Sequence, residues 1–153
     1  MENKKKEILK SLIPRAVLLP VNEKTKKTIS NKNIISIKNF PFKIGRESRV
    51  EENERGFFVK LRIFNGDSAQ PSNDMYLIDN DEFLQISKQH LEISMDENSY
   101  IVRDRGSMNG TTINGETIGG DRQTAQKRIN DGDIIQIGSD KSDYKFQFLT
   151  LDI

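Results

Sequence analysis

Three short clusters hold the residues whose types and spacing could do chemistry. Ile44-Gly45-Arg46-Glu47-Ser48-Arg49 ends an apolar run in a glycine and sets two arginines beyond it. Ile86-Ser87-Lys88-Gln89-His90 joins a hydroxyl, an ammonium and the single histidine of the chain, directly before Leu91-Glu92-Ile93. Asp104-Arg105-Gly106-Ser107-Met108-Asn109-Gly110-Thr111 is a polar turn leading to Ile113-Asn114-Gly115. The chemistry on offer is hydrogen-bond donation: Arg46 has planar, charge-assisted donors and Ser87 a short neutral one. Taken singly, each cluster also has a plainer reading. Gly45-Arg46 fits a strand end with an exposed arginine, His90 a structural histidine, and Ser107 to Thr111 a hairpin loop. Catalysis has no support. No G-x-S-x-G, H-E-x-x-H, G-x-x-x-x-G-K-[ST] or G-x-G-x-x-G pattern occurs. Ser87 and His90 are three residues apart, which in an extended segment points them to opposite faces.

The elements that must position these clusters are short strands. Apolar or alternating runs occur at Ala16 to Val21, Ile34 to Ile37, Phe42 to Ile44, Phe57 to Phe64 and Met75 to Ile78. The series continues at His90 to Ser94, Tyr100 to Arg103, Ile134 to Ile137 and Tyr144 to Leu149. Asn65-Gly66, Asn109-Gly110, Asn114-Gly115 and Asp131-Gly132 punctuate it, and such pairs suit turns that need φ > 0. Many short strands with this turn chemistry predict an all-β sandwich or barrel. Gln123 to Lys127 carries no strand signal and reads as loop. Residues 1–13 read as an N-terminal tail or one or two helical turns with Ile8, Leu9, Leu12 and Ile13 on one side. Helix signals disappear after them.

The 153 residues are enough for one domain, read as 14–153 beyond the tail, with Met1 and the strand-rich end at Ile153 looking self-contained. Hydrophobic residues are 34% and charged residues 31%, so the core must be modest and concentrated, as in a two-layer fold. The absence of cysteine excludes disulfides, thiolate metal sites and thiol nucleophiles, and a lone histidine excludes His-rich metal sites. No cofactor or metal is expected. The net charge of +1 hides a basic first third: residues 1–50 hold 13 Lys and Arg against 4 Asp and Glu. That segment reads as a solvated arm, with polyanion contact as the competing possibility. Sequence-independent nucleic-acid binding by the whole domain is disfavoured, because it needs many phosphate-neutralising cations. No apolar run is long enough to span a membrane, and the charged N-terminus has no signal-peptide apolar region after it. The expectation is a cytoplasmic protein.

In this order on an all-β chain, the three clusters resemble the forkhead-associated (FHA) domain, a phosphothreonine-peptide reader. That family shows G-R at a strand end, then S-x-x-H, then D-x-G-S-x-N-G-T and a second N-G. Here these are Gly45-Arg46, Ser87 to His90, Asp104 to Thr111, and Asn114-Gly115, and Gly132-Asp133-Ile134-Ile135-Gln136-Ile137-Gly138 looks like the family's closing strand. The resemblance runs from about Ile34 to Leu151. It implies an FHA/SMAD-like sandwich of two twisted sheets, about eleven strands, with binding loops at one end. It also implies a non-catalytic module whose partner is a phosphothreonine-containing protein, the substrate of a Ser/Thr kinase.

Carried over by motif, Arg46 would hold the phosphate and peptide backbone, Ser87 would donate to a phosphate oxygen, and Asn109 would bond the peptide main chain. Lys88 and Arg49 add cationic contacts, while Gly45, His90 and Gly110 would be structural, His90 bracing the loops. Two departures stand out. Many phospho-binding members carry Thr or Ser before the turn's Asn, where this chain has Met108, which has no donor. Arg46 and Ser87 are 41 positions apart, which predicts an inserted hairpin at about 50–73 with the acidic start Glu51-Glu52-Asn53-Glu54. The alternative function is a phospho-independent interaction or self-association module with a degenerate site.

Overall fold

The computed structural model describes residues 1–48, 50–53, 56–59 and 72–151. Helix α1 (Glu2–Leu12) precedes β1 (Ala16–Pro20), and helix α2 (Glu23–Thr28) and β2 (Ile35–Ile37) lead to β3 (Phe42–Arg46). Then come β4 (Val50–Asn53), β5 (Gly56–Val59), β6 (Met75–Leu77), β7 (Leu91–Asp96) and β8 (Ser99–Arg105). The order closes with β9 (Thr111–Ile113), β10 (Glu116–Ile118), β11 (Thr124–Ile129), β12 (Ile134–Ile137) and β13 (Lys145–Thr150). One sheet runs β10-β9-β12-β13-β1-β2, and a second runs β11-β8-β7-β3-β6. These eleven strands form the expected sandwich, while among the described residues β4 and β5 pair with each other alone. The pairing of β3 with β6 is parallel, and the other ladders are antiparallel.

Alternation along the strands sends Leu18, Ile37, Ile135, Phe146 and Phe148 from the first sheet against Ile44, Leu77, Leu91, Ile93 and Val102 from the second. All are buried. Tyr100 meets Phe148 edge-on at 5.2 Å between ring centroids and Phe40 at 5.6 Å, which extends the core to one flank. Asn114 and Gly115, at φ 49° and 88°, make the two-residue turn between β9 and β10, with Ile113 opposite Glu116. That is the hairpin that the Asn-Gly pair predicts.

Two expectations fail. The segment Gln123 to Lys127, read as loop, lies largely in β11, which pairs with β8 from Thr124 opposite Arg105 to Ile129 opposite Tyr100. β11 is an edge strand with one neighbour, and its half-buried side is Ala125 and Lys127 before the buried Ile129. The strand is built by the main-chain ladder with β8 and by a Lys127–Glu116 ion pair, so its sequence lacks apolar alternation. Helix signals also do not end at residue 13. Asn22 caps α2, its side chain accepting from the Thr25 amide at 2.7 Å. Thr25 Oγ1 in turn bonds the Asp143 carbonyl and the Lys145 amide, pinning α2 beside β13. Six residues are too few for a helical apolar pattern. Helix α1 buries none of its residues. The expected strand run Phe57 to Phe64 is β5 through Val59, and Asn65-Gly66 lies outside the described residues.

The sandwich brings the chemical clusters to one end. Ile44 pairs with Leu91, Leu91 with Asp104, and Ile137 with Thr111, so the end of β3, start of β7, end of β8 and start of β9 share an edge. Because Phe148 is completely buried and packs on Tyr100, Phe148→Ala should destabilise the domain by about 3–5 kcal/mol. Urea unfolding followed by circular dichroism measures this, and the midpoint should fall without a change of slope.

Candidate functional site

Arg46 closes β3 and is half-buried. Its amide donates to the Ser87 carbonyl at 2.9 Å, and its Nε donates to the Ile86 carbonyl at 2.9 Å. The second bond uses one of the guanidinium's five N–H donors and fixes the plane of the fork. Gly45 is glycine for want of space: a Cβ there would stand 2.0 Å from the Lys88 carbonyl oxygen and 2.6 Å from Asn73 Nδ2. The 86–88 segment therefore crosses directly over β3, which puts Ser87 and Lys88 beside Arg46.

Buried side chains shape the loop between β6 and β7. Asp79 accepts from the amides of Asp81, Gln85 and Ile86 and from the Tyr144 hydroxyl. His90, wholly buried, takes the Ser87 amide on Nδ1 at 2.9 Å and contacts the Gly110 carbonyl through Nε2 at 2.7 Å. Since Nδ1 accepts, the proton is on Nε2 and the ring is neutral. Burial holds its pKa below the ordinary 6.5. The Asp104 carboxylate is 3.9 Å from Nε2.

Asp104 builds the opposing turn. Its Oδ1 accepts from the amides of Gly106 and Ser107, and its Oδ2 from the hydroxyls of Ser107 and Thr111. Ser107 Oγ also accepts from the Gly110 amide at 2.9 Å. Gly110 sits at φ 82°, and a Cβ there would also meet the Ile118 carbonyl at 2.8 Å. So shaped, the turn presents the Met108 amide to Ser87 Oγ at 3.0 Å and Asn109 Nδ2 to the Leu84 carbonyl at 2.9 Å. Because Ser87 Oγ accepts from Met108, its own O–H proton is left for another acceptor.

The structure thus gathers Arg46, Ser87, Lys88, Met108 and Asn109 around one junction of two loops, with Gly45, His90 and Gly110 beneath it. Lys88 and Met108 are exposed, Met108 by 48%. Arg49 lies outside the described residues. The sequence reading assigned no role to Asp104 or Ser107, although both stood in the quoted turn motif; their complete burial is what marks them as its scaffold. Asn73 was missed altogether. It is buried, donates to the Lys88 carbonyl at 2.7 Å and accepts from Arg105 Nη1 at 2.7 Å. Nothing in its sequence neighbourhood signals this, since its partners are 15 and 32 positions away.

Comparison with known proteins decides the family. The family model for the FHA domain matches residues 42–138, more than half of the chain. The chain belongs to the FHA domain family. No curated protein matches it. Among solved structures it is similar to Mycobacterium tuberculosis EmbR in complex with a low-affinity phosphopeptide, at 18% identity and TM-score 0.54 over 99% of this chain. The match covers 30% of EmbR, so this chain spans under a third of that protein's length. It is similar also to the FHA domain of an Arabidopsis thaliana hypothetical protein, at 18% identity and TM-score 0.55, covering 92% of this chain and 89% of that one. A third similar structure is an FHA domain studied for phosphothreonine-dependent interactions, at 18% identity and TM-score 0.53, covering 90% of this chain and 98% of that one. At such identities the likeness establishes the fold, and the FHA sandwich is the fold found here.

In this FHA domain His90→Ala would leave the Ser87 amide without its acceptor, at about 1–3 kcal/mol, and would take from the Gly110 carbonyl one of two donors, the Gly138 amide remaining. The melting temperature should drop clearly, while affinity for ligand per folded molecule changes little; calorimetry with titration separates the two. Since the folded pKa of His90 lies below 6.5, the unfolded chain takes up the proton first as pH falls. The histidine's contribution is therefore complete above pH 6.5 and declines as pH drops from there towards the folded value. Denaturation midpoints should show this decline, and it should vanish in His90→Ala.

Proposed function

We propose that this FHA domain is a non-catalytic module that binds phosphothreonine-containing peptides or proteins at the junction of the 86–90 loop and the 106–110 turn. The observation that carries the reading is the oriented donor set. The Arg46 fork is set by its Nε bond, and the Ser87 hydroxyl has its oxygen held by the Met108 amide, leaving its proton outward. A phosphothreonine brings about −1.5 to −2 charge and three strong acceptor oxygens. Arg46 meets two of them through charge-assisted bonds, Ser87 meets a third, and Lys88 adds a flexible point charge. Asn109, whose Nδ2 already holds the Leu84 carbonyl, has its Oδ1 left to accept an N–H of the ligand main chain. Similar structures support the reading: EmbR was solved with a phosphopeptide, and another was studied for phosphothreonine-dependent FHA domain interactions. The ligand is the product of a Ser/Thr kinase, and the compartment we assign is the cytoplasm.

Met108 favours a second reading. It supplies no side-chain donor where many phospho-binding members carry a hydroxyl, as a module bound through phospho-independent contacts or self-association would allow. The two readings separate on whether binding needs the phosphate.

Isothermal titration of a phosphothreonine peptide library against its unphosphorylated counterpart should give binding to the phosphorylated form alone. Arg46→Ala should abolish it while lowering the melting temperature only by the loss of the part-buried bond to the Ile86 carbonyl, and wild-type affinity in that variant would remove Arg46 from the site. Met108→Thr should tighten phosphothreonine binding by about 1–3 kcal/mol, the value of a hydrogen bond to a charged group. Weaker binding would show that the thioether covers the ligand's methyl group instead. Absence of binding by either form would leave the phospho-independent reading.

A further inference from the structure

The connection between β10 and β11 passes the same end of the sandwich, and its backbone is unusual. Gly119, Gly120, Asp121 and Arg122 have φ of 69°, 93°, 50° and 67°, four successive left-handed residues. Glycine is required at 119, where a Cβ would lie 2.7 Å from Asp104 Cγ. At 121 and 122 the left-handed conformation is held by residues for which it is costly. What holds it is the turn of the site itself: the Asp121 amide donates to the Met108 carbonyl at 2.8 Å and the Arg122 amide to the Ser107 carbonyl at 2.9 Å. Strained non-glycine backbone of this kind persists where the surroundings over-determine it and clusters at ligand sites.

The consequence is an arginine whose main chain is bonded directly to the turn that carries Met108, where the donor set is incomplete. Arg122 is exposed, and among the described residues its guanidinium makes no hydrogen bond or ion pair, not even with the neighbouring Asp121. Its amide is one hydrogen bond from Ser107, whose successor Met108 is one hydrogen bond from Ser87 Oγ. An extended arginine side chain is long enough to cross that gap. We infer that Arg122 is a second phosphate-binding arginine, which supplies from the β10–β11 connection the donor that Met108 lacks. The inference rests on the phosphothreonine reading of the site. It gives the anion two guanidinium forks from different parts of the chain, Arg46 at the end of β3 and Arg122 ahead of β11, with Ser87 and Lys88 between them.

The backbone supplies a test that separates binding from folding. At φ 67° glycine is the more comfortable residue, so Arg122→Gly removes the guanidinium while keeping or raising the melting temperature. The probe is the tightest peptide selected from a randomised phosphothreonine library, remade with uncharged flanking residues and titrated calorimetrically. Arg122→Gly should weaken it about tenfold, as loss of a charge-assisted bond does, Arg122→Lys should recover part, and Arg128→Ala, further along β11, should change little. Unchanged affinity in Arg122→Gly, beside an Arg46→Ala that no longer binds, overturns the role of Arg122 and leaves the phosphothreonine reading standing. Equal losses in Arg122→Gly and Arg128→Ala overturn it too, as unspecific attraction. A loss seen only when the flanks are acidic assigns Arg122 to the flank and not to the phosphate. No binding of any phosphopeptide by the unaltered protein overturns both readings together.

Discussion

The bridge made by the His90 imidazole is the interaction on which the candidate site depends. One ring nitrogen takes the amide of Ser87 and the other meets the carbonyl of Gly110, so one neutral side chain fixes the distance between two loops. The loops share few other ties: the Met108 amide to Ser87 Oγ and the Asn109 amide to the 84–85 carbonyls, both at the surface. Beneath them the histidine is wholly buried, where water cannot replace either bond. Neutrality is part of the arrangement, since protonating Nδ1 would remove the acceptor that holds Ser87.

Around that bond, buried carboxylates take the part that regular structure takes elsewhere. Asp79 and Asp104 each satisfy several amides and hydroxyls of a loop that has no ladder of its own. The loops are internally hydrogen-bonded, mostly through main-chain groups and buried carboxylates, with Arg46 Nε, Asn109 Nδ2 and Ser87 Oγ each making a further bond. Among the described residues no buried side-chain nitrogen or oxygen lacks a partner. This is the condition under which a polar loop cluster is stable at all.

The parts legible in the sequence were those governed by local chemistry. Short apolar runs with alternating burial, the Asn114-Gly115 hairpin and the eleven-strand, two-sheet architecture follow from residue type and spacing together with the FHA motifs. Where local signal was weak the reading failed for a physical reason. β11 is held by a ladder with β8 and a surface ion pair, neither written in its own residues, and α2 is a six-residue cap turn pinned by contacts to β13.

The sequence by itself determined the fold class, the absence of thiol chemistry and the choice of Arg46, Ser87, Lys88 and Asn109 as candidate donors, because side-chain chemistry and strand period are properties of short segments. Only the tertiary structure decided how those donors stand. It showed that Ser87 accepts from Met108, that Asn73 braces Lys88 from 15 positions away, and that Asp104 and Ser107 are scaffold. It also tied the main chain of Asp121 and Arg122 to the 107–108 carbonyls through a left-handed turn. These facts depend on which strand ends meet at one edge of a sandwich, and that meeting is set by packing over the whole core.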